Sequence, residues 1–258
     1  MDCTSNTDGV YAYSIHTAEK SSVNLSARPH TVDSGRWQEL LESTSLKPPY
    51  AMKPHTNISS SNHPSAISLG PEDALILVDV QVDFLPGGAL GVPQASGLLE
   101  TLNSYLERFV QKQLPVIATR DWHPIDHCSF VDQGGPWPQH CVQQSPGAAF
   151  PPQLRLPDNV MVINKATAID QEAYSGFEGT NLGDTLRDLG VRRVFIAGLA
   201  TDYCVLATVK DALDTGFTVV LLEDGVRAVD VTSGDGARAI DEMHGRGAIG
   251  LRLEALTA

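Results

Sequence analysis

The sequence has few basic residues and lacks long apolar runs. No apolar run approaches the roughly 20 residues that a membrane-spanning helix needs. Lys and Arg number 18 against 31 Asp and Glu, which gives a formal net charge of −13 at pH 7. A chain of that charge is repelled by phosphate backbones and by anionic membranes. We therefore expect neither a nucleic acid nor a membrane as partner.

Cysteine is also scarce, with four residues in 258. The sequence shows no apolar segment of the kind found in secretory signals. Scattered cysteines without such a signal favour free thiols in a reducing compartment over a disulfide framework. These features predict a cytoplasmic protein, and they leave its oligomeric state open, a homo-oligomer included.

Residues 1–70 differ in composition from the rest of the chain. They contain 19 Ser and Thr and show no apolar periodicity, so they offer little apolar surface to offset the entropy lost on ordering. We expect a mostly disordered extension over residues 1–70 and a single folded domain over residues 71–258.

The folded part is predicted to be an α/β domain. Six apolar runs rich in β-branched residues predict strands that are buried on both faces. These runs span residues 74–80, 115–119, 160–163, 193–197, 217–222 and 248–253. Amphipathic stretches between them predict helices. We expect a three-layer α/β/α fold with a central, mostly parallel six-stranded sheet, whose carboxyl strand ends carry the ligand site.

Two of the predicted helices have candidate N-terminal caps. Thr232 or Ser233 would cap the last helix, and Thr201 or Asp202 would cap the helix that follows the fourth strand. Cys204 would then lie in the first turn of that helix, where exposed N–H groups favour a thiolate.

Three reactive side chains lie at the ends of predicted strands or in the segments that follow them: Asp79, Lys165 and Cys204. A carboxylate, an ammonium and a thiol that converge on one pocket suit acyl transfer through a thioester. Beside Lys165, Asp79 would stay ionised, could take the proton of the Cys204 thiol, and could return it to a departing amine. The alternatives are a purely structural Asp79–Lys165 ion pair and a buried structural cysteine.

A second cluster lies between the first two members of this trio. Asp121 and His123 are two residues apart, so on an extended segment their side chains share one face, and His140 comes from the far end of the same loop. Two imidazoles and a carboxylate fit Zn²⁺, Fe²⁺ or Mn²⁺, with positions left open for water or substrate. His127 could add a fourth ligand, as could Ser129 through water. A structural zinc that uses the two loop cysteines, and loop histidines without a metal, stay open as alternatives.

Five segments together resemble one family of enzymes. They are DVQVDFLPGGALGVP, TRDWHPIDHCSF, GPWPQHC, NKATAIDQEAYSGF and GLATDYCV, in this order. They resemble the nicotinamidases, the metal-containing branch of the isochorismatase-like cysteine hydrolases. The resemblance covers residues 73–253, and its specific part is the metal loop, because the trio marks only the superfamily. Residues 1–70 have no counterpart in it.

The resemblance implies an amidohydrolase that acts on the carbon–nitrogen bond of a linear amide. Nicotinamide is the expected substrate, hydrolysed to nicotinate and ammonia in NAD salvage, with pyrazinamide as a second substrate. By position in the family motifs, Asp79 is the base, Lys165 the charge stabiliser and Cys204 the nucleophile.

The resemblance also assigns the metal cluster. Asp121, His123 and His140 would hold one divalent metal ion, Zn²⁺, Fe²⁺ or Mn²⁺. The ring nitrogen of nicotinamide would turn toward that ion, which would place the carboxamide over the nucleophile.

The remaining expected site residues surround the substrate. Backbone N–H groups of Ala200 and Cys204 would form an oxyanion hole. Leu199 and Ala200 fall where relatives have a cis peptide bond, and we expect Leu199 to contact the substrate. Phe84 and Trp137 are expected as walls that stack on its ring.

Related activities stay open. A metal-independent cysteine hydrolase acting on another small amide, a carbamoyl compound or isochorismate would carry the same trio. A zinc hydrolase without a covalent step and a binding module without activity are more distant alternatives.

Overall fold

The computed structural model describes residues 64–257. Within them, eight strands and four α-helices follow one another along the chain. The strands are β1 (Ile67–Ser68), β2 (Asp73–Val78), β3 (Val116–Asp121), β4 (Met161–Lys165), β5 (Arg193–Leu199), β6 (Thr218–Arg227), β7 (Ile249–Leu251) and β8 (Leu256–Thr257). The helices are α1 (Leu98–Gln111), α2 (Leu182–Asp188), α3 (Leu206–Asp214) and α4 (Asp235–Gly245).

Strands β2 to β7 form one sheet of six parallel strands in the order β4-β3-β2-β5-β6-β7. Strands β2, β3 and β4 therefore follow one another toward one edge of the sheet, and β5, β6 and β7 follow one another toward the other edge. Ligands bind at the carboxyl ends of strands where the order switches in this way. Val78 and Gly198 are register partners at that switch, so Asp79 and Leu199 continue from neighbouring strands. The predicted six-stranded sheet is confirmed.

Helices cover both faces of the sheet. Helix α1 shares an apolar core with Leu75, Leu77 and Phe195, whereas α2, α3 and α4 share a second core with Ile76 and Val78. Successive residues of a strand point to opposite faces, and all six residues of β2 are buried. The predicted three-layer α/β/α arrangement is therefore confirmed.

The junction between β2 and β5 requires glycine at position 198. Gly198 has a φ of +123°, and a Cβ there would lie 2.1 Å from the Val78 carbonyl oxygen. Only a residue without a side chain fits this backbone and this contact. A cis peptide bond joins Leu199 to Ala200 directly afterwards, as the resemblance implies.

The last residues of the predicted extension pack against the folded domain. Strand β1 pairs in parallel with β8, and Ile67 and Leu69 belong to the same core as α1. Residues 1–63 lie outside the described residues, so the structure does not test the prediction that they are disordered. None of the helices in residues 64–257 has the length and apolar character that crossing a membrane requires.

Helix α4 begins later than the sequence predicts. It starts at Asp235 after Gly234, whose φ of 89° is left-handed, and it has no side-chain cap. Neither Thr232 nor Ser233 caps it, so that prediction is wrong. Instead, the carboxylate of Asp235, the first residue of the helix, accepts a hydrogen bond of 2.8 Å from the Thr232 N–H in the preceding turn.

Candidate active site

Asp79 leaves the sheet directly after β2. Its backbone is left-handed, with a φ of 50°, and its side chain is fully buried. The Thr119 hydroxyl donates a hydrogen bond of 2.6 Å to Oδ1. Oδ2 lies 3.1 Å from the Lys165 ammonium, yet it has no hydrogen-bond partner of good geometry among the described residues. One carboxylate oxygen is therefore fixed, and the other is available for chemistry.

Lys165, the last residue of β4, connects the groups of the site. Its ammonium lies 2.5 Å from Asp121 Oδ1, 3.0 Å from the Ala173 carbonyl oxygen and 3.5 Å from Cys204 Sγ. Burial acts to lower the pKa of Lys165, but the carboxylates of Asp121 and Asp79 outweigh burial and raise that pKa well above its usual value. The ammonium therefore stays charged inside the protein.

Cys204 lies in a π-helical turn, Thr201–Val205, that joins β5 to α3. The sulfur thus stands at the start of the helical segment, where the sequence places it. The turn has no side-chain cap, contrary to the prediction. The Asp202 carboxylate instead accepts hydrogen bonds of 3.0 and 2.9 Å from the N–H groups of Val229 and Asp230. These two bonds connect the turn to the loop after β6.

The thiol and the carboxyl group of the trio form an acid–base pair. Burial raises the pKa of the Cys204 thiol, and the charge of Lys165 opposes that shift without cancelling it. This direction is opposite to the one expected from the helix start alone. Burial also raises the pKa of Asp79 to about 6, again against the charge of Lys165. The arrangement can generate a thiolate by proton transfer from sulfur to Asp79.

Asp121, His123 and His140 form a buried cluster next to the trio, and one ligand atom of each lies within 4.8 Å of the others. The Nδ1 atoms of His123 and His140 face the backbone carbonyl oxygens of His140 and Pro138, at 3.2 and 2.8 Å. Their Nε2 atoms lie 3.9 and 4.0 Å from carboxylate oxygens of Asp121. Each ring is oriented from behind by a carbonyl group, as metal-ligating histidines are.

The cluster has the properties of a site for a divalent cation. Nε2 of His123 is buried without a hydrogen-bond partner among the described residues, a deficit that a bound cation would remove. Burial and the neighbouring His123 lower the pKa of His140 to about 4, so this ring is neutral and able to ligate. Burial acts to raise the pKa of Asp121, but Lys165 and both histidines outweigh it and lower the pKa.

His127 and Ser129 lie beside this cluster but are engaged elsewhere. His127 Nδ1 lies 2.7 Å from Ser129 Oγ, and its Nε2 lies 3.1 Å from the Gln171 carbonyl oxygen. The His127 ring is 4.4 Å from that of His123, and these two residues with Glu172 form a second group with metal-ligand spacing. As arranged, His127 is not part of the Asp121 group.

The loop cysteines do not join the histidines. Cys128 and Cys141 are free thiols. Within residues 64–257, no group with metal-ligand spacing contains either of them. The alternative of a structural zinc therefore has no support in the geometry.

The loop after Asp79 holds both ends of the metal loop. The Gln81 side chain accepts a hydrogen bond from the Asp121 N–H and donates one to the Asp121 carbonyl oxygen, both of 2.8 Å. Asp83 Oδ2 accepts a hydrogen bond of 2.7 Å from the N–H of Cys141, next to His140. No role for Gln81 is predicted from the sequence. The only sign of one is a polar amide side chain two residues after Asp79, in an otherwise apolar segment.

Lys165, Cys204 and the Asp121–His123–His140 cluster open on one cavity of about 480 Å³, counted with the space at its mouth. Phe84, Trp137 and Ala200, which are assigned to the substrate site from the sequence, line it, and Cys204 lies in its wall. Leu199 is not among the lining residues, because its side chain is 1% exposed and packs in the core beside the sheet. Asp79 lies behind the wall and not in it.

Further side chains complete the cavity wall. Trp137 Nε1 donates a hydrogen bond of 3.1 Å to the Tyr174 hydroxyl, and the Trp137 ring meets Tyr203 edge to face at 5.3 Å. Glu172 Oε1 lies 4.0 Å from His123 Nε2. Neither Glu172 nor Tyr203 is predicted from the sequence. Both adjoin predicted site segments, but adjacency does not tell which way a side chain points.

Known proteins share this fold and much of this sequence. The isochorismatase domain family matches residues 73–254. The nicotinamidase of Escherichia coli (strain K12) is 38% identical over 182 residues, which cover 62% of this chain and 85% of the relative.

Two solved structures are similar over nearly their whole length. Pyrazinamidase of Pyrococcus horikoshii in complex with zinc has a TM-score of 0.68 and 51% identity, and the match covers 70% of this chain and 99% of that one. PnC1 from L. infantum in complex with nicotinate has a TM-score of 0.67 and 40% identity, with 75% and 99% covered. Because the family matches well over half of the sequence, the chain belongs to the isochorismatase domain family.

Proposed function

We propose that the protein is a nicotinamidase, which hydrolyses nicotinamide to nicotinate and ammonia. The observation that carries the proposal is that the Cys204 nucleophile and the Asp121–His123–His140 cluster line the same cavity. A buried thiol with a base serves many small amides, whereas a cation site beside it selects an amide on a ring with a nitrogen donor. The relatives support this choice, since one is a nicotinamidase, one a zinc-bound pyrazinamidase and one binds nicotinate.

The first step is activation of the nucleophile. The Cys204 S–H bond breaks, the electron pair stays on sulfur, and the proton passes to Asp79. The Lys165 ammonium, 3.5 Å from Sγ and 3.1 Å from Asp79 Oδ2, stabilises the thiolate that results. Because burial raises the pKa of the thiol, this transfer depends on the base being in contact.

The second step forms the thioester. Sulfur attacks the carboxamide carbon, and the carbonyl electron pair moves to oxygen. The backbone N–H groups of Ala200 and Cys204 are our proposed donors to this oxyanion, a contribution of a few kcal/mol per donor in other enzymes. The electron pair of the oxyanion then re-forms the carbonyl, the carbon–nitrogen bond breaks, and the leaving nitrogen takes the proton from Asp79 and departs as ammonia, which leaves the thioester on Cys204.

The third step releases the acid. Water loses a proton to Asp79 and adds to the thioester carbon, and the carbon–sulfur bond breaks. The sulfur leaves as a thiolate, which Lys165 stabilises and the protonated Asp79 reprotonates. The product forms as nicotinic acid, which gives up its proton to solvent and leaves as nicotinate, and the trio returns to its starting state.

A divalent ion fits the site on the evidence of the orphaned His123 Nε2 and the neutral His140 ring. Asp121, His123 and His140 would hold it, and when bound it would act as a Lewis-acidic anchor for the ring nitrogen of the substrate. Two imidazoles with one carboxylate suit Zn²⁺, Fe²⁺ and Mn²⁺ alike.

Aromatic side chains bound the space beside the nucleophile. Phe84 and Trp137 lie in the cavity wall with Tyr174 and Tyr203, and Trp137 is fixed by its hydrogen bond to Tyr174. A flat pyridine or pyrazine ring offers both faces to such walls. We propose Phe84 and Trp137 as the stacking residues.

An ammonia-release assay tests the function. Nicotinamide and pyrazinamide should be hydrolysed, benzamide should be a poor substrate because it lacks the ring nitrogen, and chelation should abolish turnover until Zn²⁺, Fe²⁺ or Mn²⁺ is restored. Hydrolysis of a carbamoyl compound or another small amide that is faster and survives chelation would favour the metal-independent alternative.

We further propose a cytoplasmic location and a role in NAD salvage. The free thiols of Cys128, Cys141 and Cys204 support a reducing compartment. Fractionation of cells locates the protein, and analytical ultracentrifugation decides between a monomer and a homo-oligomer.

A further inference from the structure

We propose that Thr119 is a positioning residue for the base: its hydroxyl holds one oxygen of the Asp79 carboxylate so that the other, Oδ2, receives the Cys204 proton. The inference rests on the proposed function only for its turnover arm. The role of Thr119 follows from its contacts, since the side chain lies behind the cavity wall and cannot be part of the substrate site.

Thr119 contacts Asp79 through three hydrogen bonds. Its hydroxyl donates to Oδ1 at 2.6 Å, and the same oxygen lies 3.3 Å from the Asp79 N–H. The Asp79 N–H also lies 3.2 Å from the Thr119 carbonyl oxygen. Asp79 has a left-handed backbone with a φ of 50°, so its side chain leaves the sheet in an unusual direction. The clamp fixes both the backbone and the carboxylate of the base.

The clamp makes the two oxygens of Asp79 different. Oδ1 is occupied by the Thr119 hydroxyl, whereas Oδ2 has no hydrogen-bond partner of good geometry within residues 64–257. Oδ2 and Cys204 Sγ both approach the Lys165 ammonium, at 3.1 and 3.5 Å. Oδ2 is therefore the oxygen on the side of the sulfur, with a free lone pair for its proton.

The hydroxyl is itself held in place by packing. Thr119 is fully buried at position 119 of β3. Its methyl group packs against Gly176, where an added Cβ would come within 2.8 Å of Thr119 Cγ2. A β-branched side chain packed in this way has its χ1 angle restricted. This packing adds to the hydrogen bond between the hydroxyl and Asp79 Oδ1, which by itself directs the hydroxyl at the carboxylate.

Loss of the hydroxyl would change the chemistry without removing any group that reacts. The Asp79 carboxylate could turn about its χ2 angle, and Oδ1 would lose its partner in a buried environment. The S–H bond of Cys204 would still break with the proton going to a carboxylate oxygen, but that oxygen would no longer be held facing sulfur. Misplacement of a reacting group by about 1 Å can cost on the order of 100-fold in rate.

The test compares Thr119→Val, which keeps the shape and loses the hydroxyl, with Thr119→Ser, which keeps the hydroxyl. The first measurement is the rate of Cys204 alkylation by iodoacetamide, followed by mass spectrometry of the Cys204 peptide in the metal-loaded protein. The second is kcat and KM for nicotinamide. We expect Thr119→Val to slow alkylation and to lower kcat roughly 10- to 100-fold with little change in KM, and Thr119→Ser to restore both.

Alkylation near the wild-type rate in Thr119→Val, or a Thr119→Ser variant as slow as Thr119→Val, would overturn the proposal. If Thr119→Val does not fold, Thr119→Ser and Thr119→Ala form the comparison, since these two differ only in the hydroxyl. Alkylation needs no nicotinamide, so the two proposals can fail separately. If nicotinamide is not hydrolysed but the alkylation rate of Cys204 still depends on the Thr119 hydroxyl, the proposed substrate is wrong and the role of Thr119 is supported.

Discussion

The Lys165 ammonium lies 2.5 Å from Asp121 Oδ1, so the proposed charge stabiliser of the trio and a candidate metal ligand are joined by one hydrogen bond. The same ammonium lies 3.1 Å from Asp79 Oδ2. The nucleophile's site and the cation site are therefore one electrostatic unit, with a single buried positive charge between two carboxylates.

Replacing Lys165 with Met should destabilise the metal-free protein by about 3–5 kcal/mol at neutral pH, because it leaves two buried carboxylates without their counter-charge. The pKa of Asp79 would rise further above the wild-type value of about 6. A carboxyl group whose pKa is raised by folding binds its proton more tightly in the folded state, so its cost is present at high pH and fades as pH falls. Denaturant unfolding at several pH values measures this.

Arg187→Met is the matched control, because Arg187 and Asp184 form an exposed ion pair with side chains 51% and 85% accessible. We expect only a small effect there. A Lys165→Met variant as stable as this control at neutral pH would contradict the account of the buried charges.

Gln81→Leu should weaken metal binding roughly 10- to 100-fold, because it removes the two hydrogen bonds that hold the backbone of Asp121. Loss of contacts that support a metal ligand usually has an effect of this size. The metal dissociation constant, measured by competition with a chelator, checks this. Gln143→Leu is the control, since Gln143 donates one hydrogen bond of 2.9 Å to the Trp122 carbonyl oxygen in the same loop. Equal metal affinity in both variants would count against a role of Gln81 in holding Asp121.

The value of kcat/KM should rise with pH through the pKa of Asp79, because the base must be ionised to take the thiol proton. That pKa is about 6, and Asp121 contributes to raising it. A cation bound at Asp121 removes this contribution, so the rising limb should lie at or somewhat below 6. A metal-saturated pH profile measures it, and a limb in the alkaline range would point to a different base.

Trp137→Ala should raise KM for nicotinamide about tenfold and change kcat less, because it removes a ring-stacking wall and not a reacting group. Trp122→Ala is the control, since the Trp122 ring packs under the Arg120 guanidinium at 3.8 Å and is not in the cavity wall. Steady-state kinetics decides, and similar KM values for the two variants would remove Trp137 from the substrate site.

Much of the fold was predictable from local patterns. Runs such as residues 74–78 are continuously apolar, as strands buried on both faces are, and their order gives the parallel sheet. The reactive residues could be located because each follows such a run or lies in the loop between two of them. These signals are local in the sequence.

The contacts that join the site were not predictable in this way. Thr119 and Asp79, or Gln81 and Asp121, are 40 residues apart, and only the register of β2 with β3 brings them together. The predicted cap at Asp202 failed for the same reason, since its carboxylate bonds to backbone 27 residues away at Val229. Side chains with several available partners take the one that the tertiary structure supplies.

The most direct test of the account is ammonia release from nicotinamide by the metal-loaded wild-type protein and by Cys204→Ala. We expect the wild type to release one ammonia for each nicotinate formed and the variant to show almost no turnover, because no other described side chain occupies the position of the sulfur beside Lys165. A Cys204→Ala variant that retains most of the wild-type rate would contradict the thioester mechanism.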